Sequence, residues 1–450
     1  MTSDRRQFLT GAVTAGAMAA ATPAQAARKI APKPVNPAFP KGFLWGAATA
    51  AYQVEGNNVA SDIWLLERTT PTVYAEPSGD AANSFLLWER DLDLVKSLGL
   101  NSYRFSLEWA RIEPEQGQFS IAMLDHYKAM IAGCHARGLT PVVTFNHFTT
   151  PRWFAALGGW HGNDAPALFA RYCDRAARHL ADGITYATTL NEPNLSGKLG
   201  ELLPGDLLGA DKAMVEAAAK ALGVPIYQPG NPLYTPDGAR TQRHLLEGHR
   251  LGRAAIKAVR GDLPVGVSLA MLDEQAAPDL PRGKVSLQAK MREHYYGEWL
   301  RLAKDSCDFL GIQNYERSVW DDKGKRPNPP GAVTNTMGAE VYPPSLAGVA
   351  RYAHAQTGLP IMVTEHGVGS EHDEIRANLI PAALTELKRA MDDGVPVLGY
   401  LHWSLVDNFE WVFGYRIRFG LCELNRQTFE RKPKPSAAVL GRIARANALT

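Results

Sequence analysis

Long apolar runs, metal-binding clusters and paired cysteines are all missing from this 450-residue chain. No uninterrupted hydrophobic stretch has the length a bilayer demands, so no membrane span is expected in the mature protein. An excess of one charge is missing too: 48 basic against 46 acidic side chains leave a formal +2, falling to +1 without residues 1–26. Nothing in that balance calls for nucleic acid or an acidic surface as partner. Cys134, Cys173, Cys307 and Cys422 are scattered, with no C-x-x-C pair and no histidine at zinc spacing. They read as buried free thiols, and no ligand cluster implies a metal or an organic cofactor. Solenoid-type repeats are absent as well. What is present, 45% hydrophobic and 21% charged residues, is the composition of a soluble globular protein with a large core.

The first residues read as an address. Asp4-Arg5-Arg6-Gln7-Phe8-Leu9 opens a weakly apolar, Gly/Ala-rich stretch that closes at Ala24-Gln25-Ala26, the pattern of a twin-arginine leader with an A-x-A cleavage site. Residues 1–26 are therefore expected to be a signal peptide and residues 27–38 a Pro-rich linker. Residues 39–447 would form one catalytic domain. Such a leader predicts bacterial export in the folded state, to the periplasm or outside, which fits a chain that needs no disulfide. Oligomeric state is not legible.

Past the linker, short runs rich in β-branched, aromatic and small apolar residues alternate with longer segments of helical periodicity, which argues for parallel βα units. Strands are predicted near Phe43–Ala51, Ser102–Ser106, Pro141–Asn146, Tyr186–Leu190, Val265–Ala270, Phe309–Ile312, Ile361–Thr364 and Val397–His402. Eight of them imply a single (β/α)8 TIM barrel of α/β class. Helices are predicted at Glu89–Leu98 and Ile121–Arg137, stopped by Gly99 and Gly138. Long Pro/Gly-rich βα loops, Gly223–Arg240 and Arg317–Pro344, should overhang the C-terminal face.

A barrel builds its active site at the carboxyl ends of its strands, and polar residues gather there. Gln53 follows the first strand, Arg104 lies in the second, His147 ends the third, and Asn191 and Glu192 end the fourth. Tyr315 follows the sixth, Glu365 the seventh and Trp403 the eighth; only the fifth contributes nothing. One glutamate after a strand is usually a solvated loop residue. Two facing one mouth, with an arginine, a histidine and tryptophans, point to glycoside chemistry, in which one carboxyl protonates the departing oxygen and the other supports the anomeric carbon. Arg104 and the Tyr315 hydroxyl would favour the ionised form of Glu365, making it the nucleophile. Partial burial and the charge opposite would keep Glu192 protonated as general acid/base. Retention predicts carboxyl groups about 5 to 5.5 Å apart.

From about Phe39 onward the chain resembles glycoside hydrolase family 1, the β-glucosidase family. The resemblance rests on Phe43-Leu44-Trp45-Gly46-Ala47-Ala48-Thr49, Tyr52-Gln53-Val54-Glu55-Gly56, Tyr103-Arg104-Phe105-Ser106, Asn191-Glu192-Pro193 and Thr364-Glu365-His366-Gly367. Trp403-Ser404-Leu405, Asp407-Asn408-Phe409-Glu410-Trp411, Arg418-Phe419-Gly420-Leu421 and Lys434-Pro435-Ser436-Ala437 follow in the same order. It implies a retaining exo-β-glycosidase, foremost a β-glucosidase, acting on a small glycoside or oligosaccharide by double displacement. Galacto-, fuco- or xylo-configured sugars, transglycosylation, and a non-catalytic carbohydrate-binding barrel are the alternatives. It further implies that Gln53, His147, Asn191, Glu410 and Trp411 hydrogen-bond the sugar, with Trp403 as stacking platform. An indole floor ringed by amide, imidazole and carboxylate groups suits a pyranose on physical grounds as well. Four positions depart from the family pattern. His366 stands where asparagine is usual and could couple electrostatically to Glu365, and Gln313 would substitute for a sugar-facing amide. Ala187 and Ala339 replace tryptophans, which predicts an altered or more open leaving-group side.

Overall fold

The computed structural model describes residues 35–196, 198, 205–230 and 233–450; the leader read at residues 1–26 and the linker up to residue 34 lie outside these. Eight parallel strands close into a barrel, each neighbouring the next in sequence and the last pairing the first. They are β1 (Leu44–Ala48), β2 (Ser102–Ser106), β3 (Thr140–Asn146) and β4 (Tyr186–Asn191). β5 (Val265–Ala270), β6 (Leu310–Asn314), β7 (Ile361–His366) and β8 (Val397–Trp403) complete the ring. All eight stand where the sequence predicts strands. The first ends early, at Ala48, because Ala51–Glu55 turns helical and carries Gln53 back over the mouth.

Alternation along each strand sorts side chains between two cores. Trp45 and Ala47 of β1, like Tyr103 and Phe105 of β2, pack outward among residues such as Leu124 and Tyr127 of the surrounding helices. Leu44, Val142, Phe309, Met362 and Leu401 fill the barrel interior. Helices supply the outer layer. Ser84–Ser97 begins five residues before the predicted start, Ile121–Ala136 matches its prediction, and Gly99 and Gly138 stop the two at φ +86° and +67°. The four cysteines are buried and free.

The loop after β6 is more ordered than its composition predicts. Arg317–Trp320 forms a short strand pairing in parallel with Asp273–Ala276, a ribbon formed by the segments that follow β5 and β6. In the other predicted loop, Gly238–Arg240 open a helix running to Val259, with the Asp237 carboxylate accepting from Arg240 N at 2.9 Å. Among the described residues no helix is long and apolar enough to cross a membrane.

Candidate active site

Both glutamates reach one cavity of about 390 Å³ at the carboxyl ends of the strands. Strict alternation alone would not put them there. Between β6 and β7 the register slips, Ile312 facing Val363 but Gln313 facing Glu365, and this irregularity turns Glu365 into the mouth. A second slip lies between β4 and β5, where Thr188 faces Gly266 and Asn191 faces Ser268. The chain then leaves β4 through Glu192 at φ 45°, its N–H held by Ser268 O at 2.8 Å. Phe148 and Trp411, also at positive φ, line the same cavity, so backbone strain is concentrated around it.

The two carboxyl groups sit in unequal electrostatic settings. Glu365 Oε1 accepts from Arg104 Nη1 at 2.6 Å and Gln313 Nε2 at 2.8 Å, and Oε2 accepts from the Tyr315 hydroxyl at 2.6 Å. Arg104 is wholly buried; it also donates to Thr144 Oγ1 at 3.1 Å and Asn191 Oδ1 at 2.6 Å. Burial pushes the Glu365 carboxyl up, and Arg104 and the Tyr315 hydroxyl offset that only in part, leaving it raised but by less than Glu192. For Glu192 the opposition wins: burial, then the negative charge of Glu365, raise it well above the usual carboxylate range, with Arg104 a smaller counterweight. A proton shared between the two therefore belongs on Glu192. One ionised nucleophile beside one protonated acid is the pairing that glycosidic cleavage requires.

The predicted sugar-facing residues come together around the same cavity. Gln53, His147, Gln313, Trp403, Glu410 and Trp411 line it, and Asn191 borders a small adjoining void. Trp403 lies parallel to the His147 ring at 5.7 Å and donates Nε1 to Glu410 Oε1 at 3.3 Å. Gln53 Nε2 donates to Phe409 O at 2.8 Å and to Glu410 Oε2 at 3.3 Å. Burial, reinforced by Glu365, pushes the Glu410 carboxyl up to about 8. His147 is held neutral, burial and Arg104 lowering it well below the usual imidazole range. Gln53 Oε1, His147 Nδ1, Asn191 Nδ2 and Gln313 Oε1 are buried without a partner inside the protein. Buried polar atoms left unpaired are costly unless a ligand satisfies them, and a ring of hydroxyls supplies both donors and acceptors.

Three expectations need correction. His366 does not couple to Glu365: one residue further along β7 it faces the helix layer, its Nδ1 2.9 Å from the Tyr400 hydroxyl, and burial drops its pKa to about 3. It stays neutral. Ala187 is not at the mouth either but packs in the layer between strands and helices, whereas Ala339 does line the open trough outside the cavity. The fifth strand does contribute: Ala270, Met271 and Leu272 form one wall. Its apolar end carried no polar signal to find it by, and Leu195, Tyr296 and Met337 on the same wall were missed for that reason. Gln313 does more than replace an amide, since its Nε2 bridges Glu365 and Asn191 Oδ1, the latter at 2.7 Å.

The model of glycosyl hydrolase family 1 matches residues 35–217 and 288–449. The chain is 30% identical to a bifunctional beta-D-glucosidase/beta-D-fucosidase of Bifidobacterium breve, over 88% of this chain and 96% of that one. It is 28% identical to a 1,4-beta-D-glucan glucohydrolase of Thermotoga neapolitana, over 92% and 99%. Among solved structures, beta-glycosidase BGL167 superposes with a TM-score of 0.84 at 44% identity, covering 92% of this chain and 98% of that one. Beta-glucosidase 1317 gives the same score at 40% identity, covering 90% and 98%. A closed barrel, an arginine-gripped glutamate sharing its cavity with a second buried one, and a family match over most of the length converge on one assignment: the chain belongs to glycosyl hydrolase family 1.

Proposed function

We propose that this retaining glycoside hydrolase removes the terminal non-reducing β-D-glucosyl residue of small glycosides, with Glu365 as nucleophile and Glu192 as general acid/base. The observation that carries the reading is the asymmetry of the pair: Arg104 and Tyr315 both bind Glu365 at 2.6 Å, while Glu192 faces burial and a like charge. In the first step the Glu365 carboxylate forms a bond to the anomeric carbon as the glycosidic C–O bond breaks. Glu192 gives its proton to the departing oxygen. In the second step water attacks the same carbon, its proton passes to Glu192, and Glu365 leaves as a carboxylate. Gln53, His147, Asn191, Gln313, Glu410 and Trp411 would hold the hydroxyls and Trp403 the sugar face. The beta-glucosidase names of relatives and structural neighbours support the gluco configuration, and the bifunctional relative supports β-D-fucosides as a second substrate.

Glu365→Gly should abolish hydrolysis of a chromogenic β-glucoside and regain turnover with azide, giving an α-glycosyl azide. Glu192→Ala should still form glycosyl-enzyme from activated aryl glycosides but release it slowly, with azide giving the β product. Wild-type turnover in Glu365→Gly would sink the nucleophile assignment. We also propose export through the leader at residues 1–26. Lysine at both Arg5 and Arg6 should retain the protein in the cytosol on cell fractionation, and unchanged export would reject the leader.

A further inference from the structure

The leaving-group half of the cavity is built from side chains that offer a second sugar almost nothing. Around the ring, four of the polar sugar-facing groups follow one arc, Trp403 and Glu410 from β8 and its loop, Gln53 after β1 and His147 after β3, while Asn191 of β4 and Gln313 of β6 are tied to Arg104 and Glu365 beside the reacting carboxylates. Glu192 ends β4, so the group it protonates departs over the remaining arc, β4 to β6. There the wall is Leu195, Met271, Leu272, Tyr296 and Met337.

Behind that wall, the polar atoms of Asn194, Met271, Leu272 and Tyr296 are engaged within the protein. Asn194 exchanges bonds with the Ala270 peptide, Nδ2 to O at 2.8 Å and N to Oδ1 at 3.1 Å. Met271 N donates to Gln313 O and Met271 O accepts from Asn314 Nδ2 at 2.9 Å. Leu272 N donates to the Tyr296 hydroxyl at 3.0 Å, which donates in turn to Glu274 Oε1 at 3.0 Å. Leu272 O accepts from Glu274 N. A pyranose placed here would lose water from several hydroxyls and find few partners for them among the described residues. An apolar group loses nothing and buries surface.

The wall also continues outward. The cavity shares Met337, Phe413, Ile417 and Glu316 with an open trough of about 1200 Å³, and Met337 stands 48% exposed on its lip. Glu316 is the charged side chain common to both spaces, and its Oε1 accepts from Asn335 Nδ2 at 3.2 Å. A flexible thioether over an apolar slot suits ring or alkyl groups of varied shape.

We propose that the aglycone of this enzyme is an apolar alkyl or aryl-ring alcohol rather than a second sugar; this rests on the β-glucosidase reading above. The test compares kcat/KM for n-octyl β-D-glucoside, below its micellar concentration, with methyl β-D-glucoside and cellobiose. The octyl and methyl glucosides release alcohols of similar acidity, so their ratio reads aglycone binding rather than leaving-group chemistry; cellobiose releases the more acidic hydroxyl, so a preference for the octyl glucoside over it runs against the chemical advantage. The expected result is at least a tenfold preference for the octyl glucoside over each of the others. Leu272→Asn should narrow that ratio severalfold. Cellobiose cleaved as well as or better than the octyl glucoside overturns the proposal while leaving the β-glucosidase reading intact. No cleavage of any of them, or of p-nitrophenyl β-D-glucoside, overturns both.

Discussion

At the scale of single residues, the chemistry depends on how Glu365 stays ionised inside a buried site. Burial alone pushes its carboxyl the wrong way, and two donors, Arg104 and Tyr315, oppose it. The Tyr315 hydroxyl keeps its proton and donates it to Glu365, because burial and the charge of Glu365 raise it well above the ordinary phenol value. A hydrogen bond to an ionised group contributes about 1.5 to 3 kcal/mol. Tyr315→Phe should therefore lower kcat/KM roughly ten- to a hundredfold. The sign of the pH effect follows: a lost donor to the charged form raises the Glu365 pKa, so the acidic limb of the kcat/KM profile should move to higher pH. Stopped assays from acid to neutral pH check it, and an unmoved limb at full activity would remove Tyr315 from the nucleophile's support. These partners were legible as residue types at strand ends. The isolation of His366 was not, because the neighbour that decides it, Tyr400, lies on a different strand.

At the scale of elements, the strands were readable from their composition and the register slips were not. Period-two alternation places Thr364 and His366 on one side of β7 and Glu365 on the other, so only the slip against β6 explains a glutamate in the mouth. Nor could sequence show that two buried carboxyl groups tie the loop bearing His147 to its neighbours. Thr149 Oγ1 donates to Glu108 Oε2 at 2.8 Å, and Thr150 Oγ1 donates to Asp62 Oδ2, also at 2.8 Å, which Gly230 N reaches at 2.7 Å. Burial, then the charge of nearby Glu55, pushes the Glu108 carboxyl up to about 8. Between the unfolded value near ~4.3 and that raised value, the folded chain holds one more proton than the unfolded chain. Its stability then falls as pH rises, by about 1.4 kcal/mol per unit from this group. Glu108→Gln keeps a donor and an acceptor but removes the proton uptake. Its urea midpoint relative to wild type should climb between roughly pH 5 and pH 7.5, and a constant difference would mean Glu108 is ionised in the fold.

At the scale of the whole molecule, the barrel separates its working end from the end that closes it. The closing end was hidden from sequence reading, since it joins residues some four hundred positions apart. Phe39 N donates to Asn447 O at 2.9 Å, Leu449 N donates to Pro37 O at 2.9 Å, and Ala38 bridges Ala448. Asn447 is the knot: at φ 48° its Nδ2 donates to Phe39 O at 2.9 Å and Pro40 O at 3.1 Å, and its Oδ1 accepts from Trp45 Nε1 at 2.9 Å. Trp45 is the second residue of β1, which seals the ring against β8. Glycine tolerates the same backbone angle, so Asn447→Gly isolates the three side-chain bonds from the turn itself. Losing them, with the Trp45 indole left buried and unpaired, should cost roughly 2 to 4 kcal/mol. The thermal midpoint should fall by several degrees. Glu192 and Glu365 hang from the opposite ends of their strands, so kcat measured well below that midpoint should match wild type; a drop in kcat without a drop in midpoint would mean the two ends of the barrel are not independent.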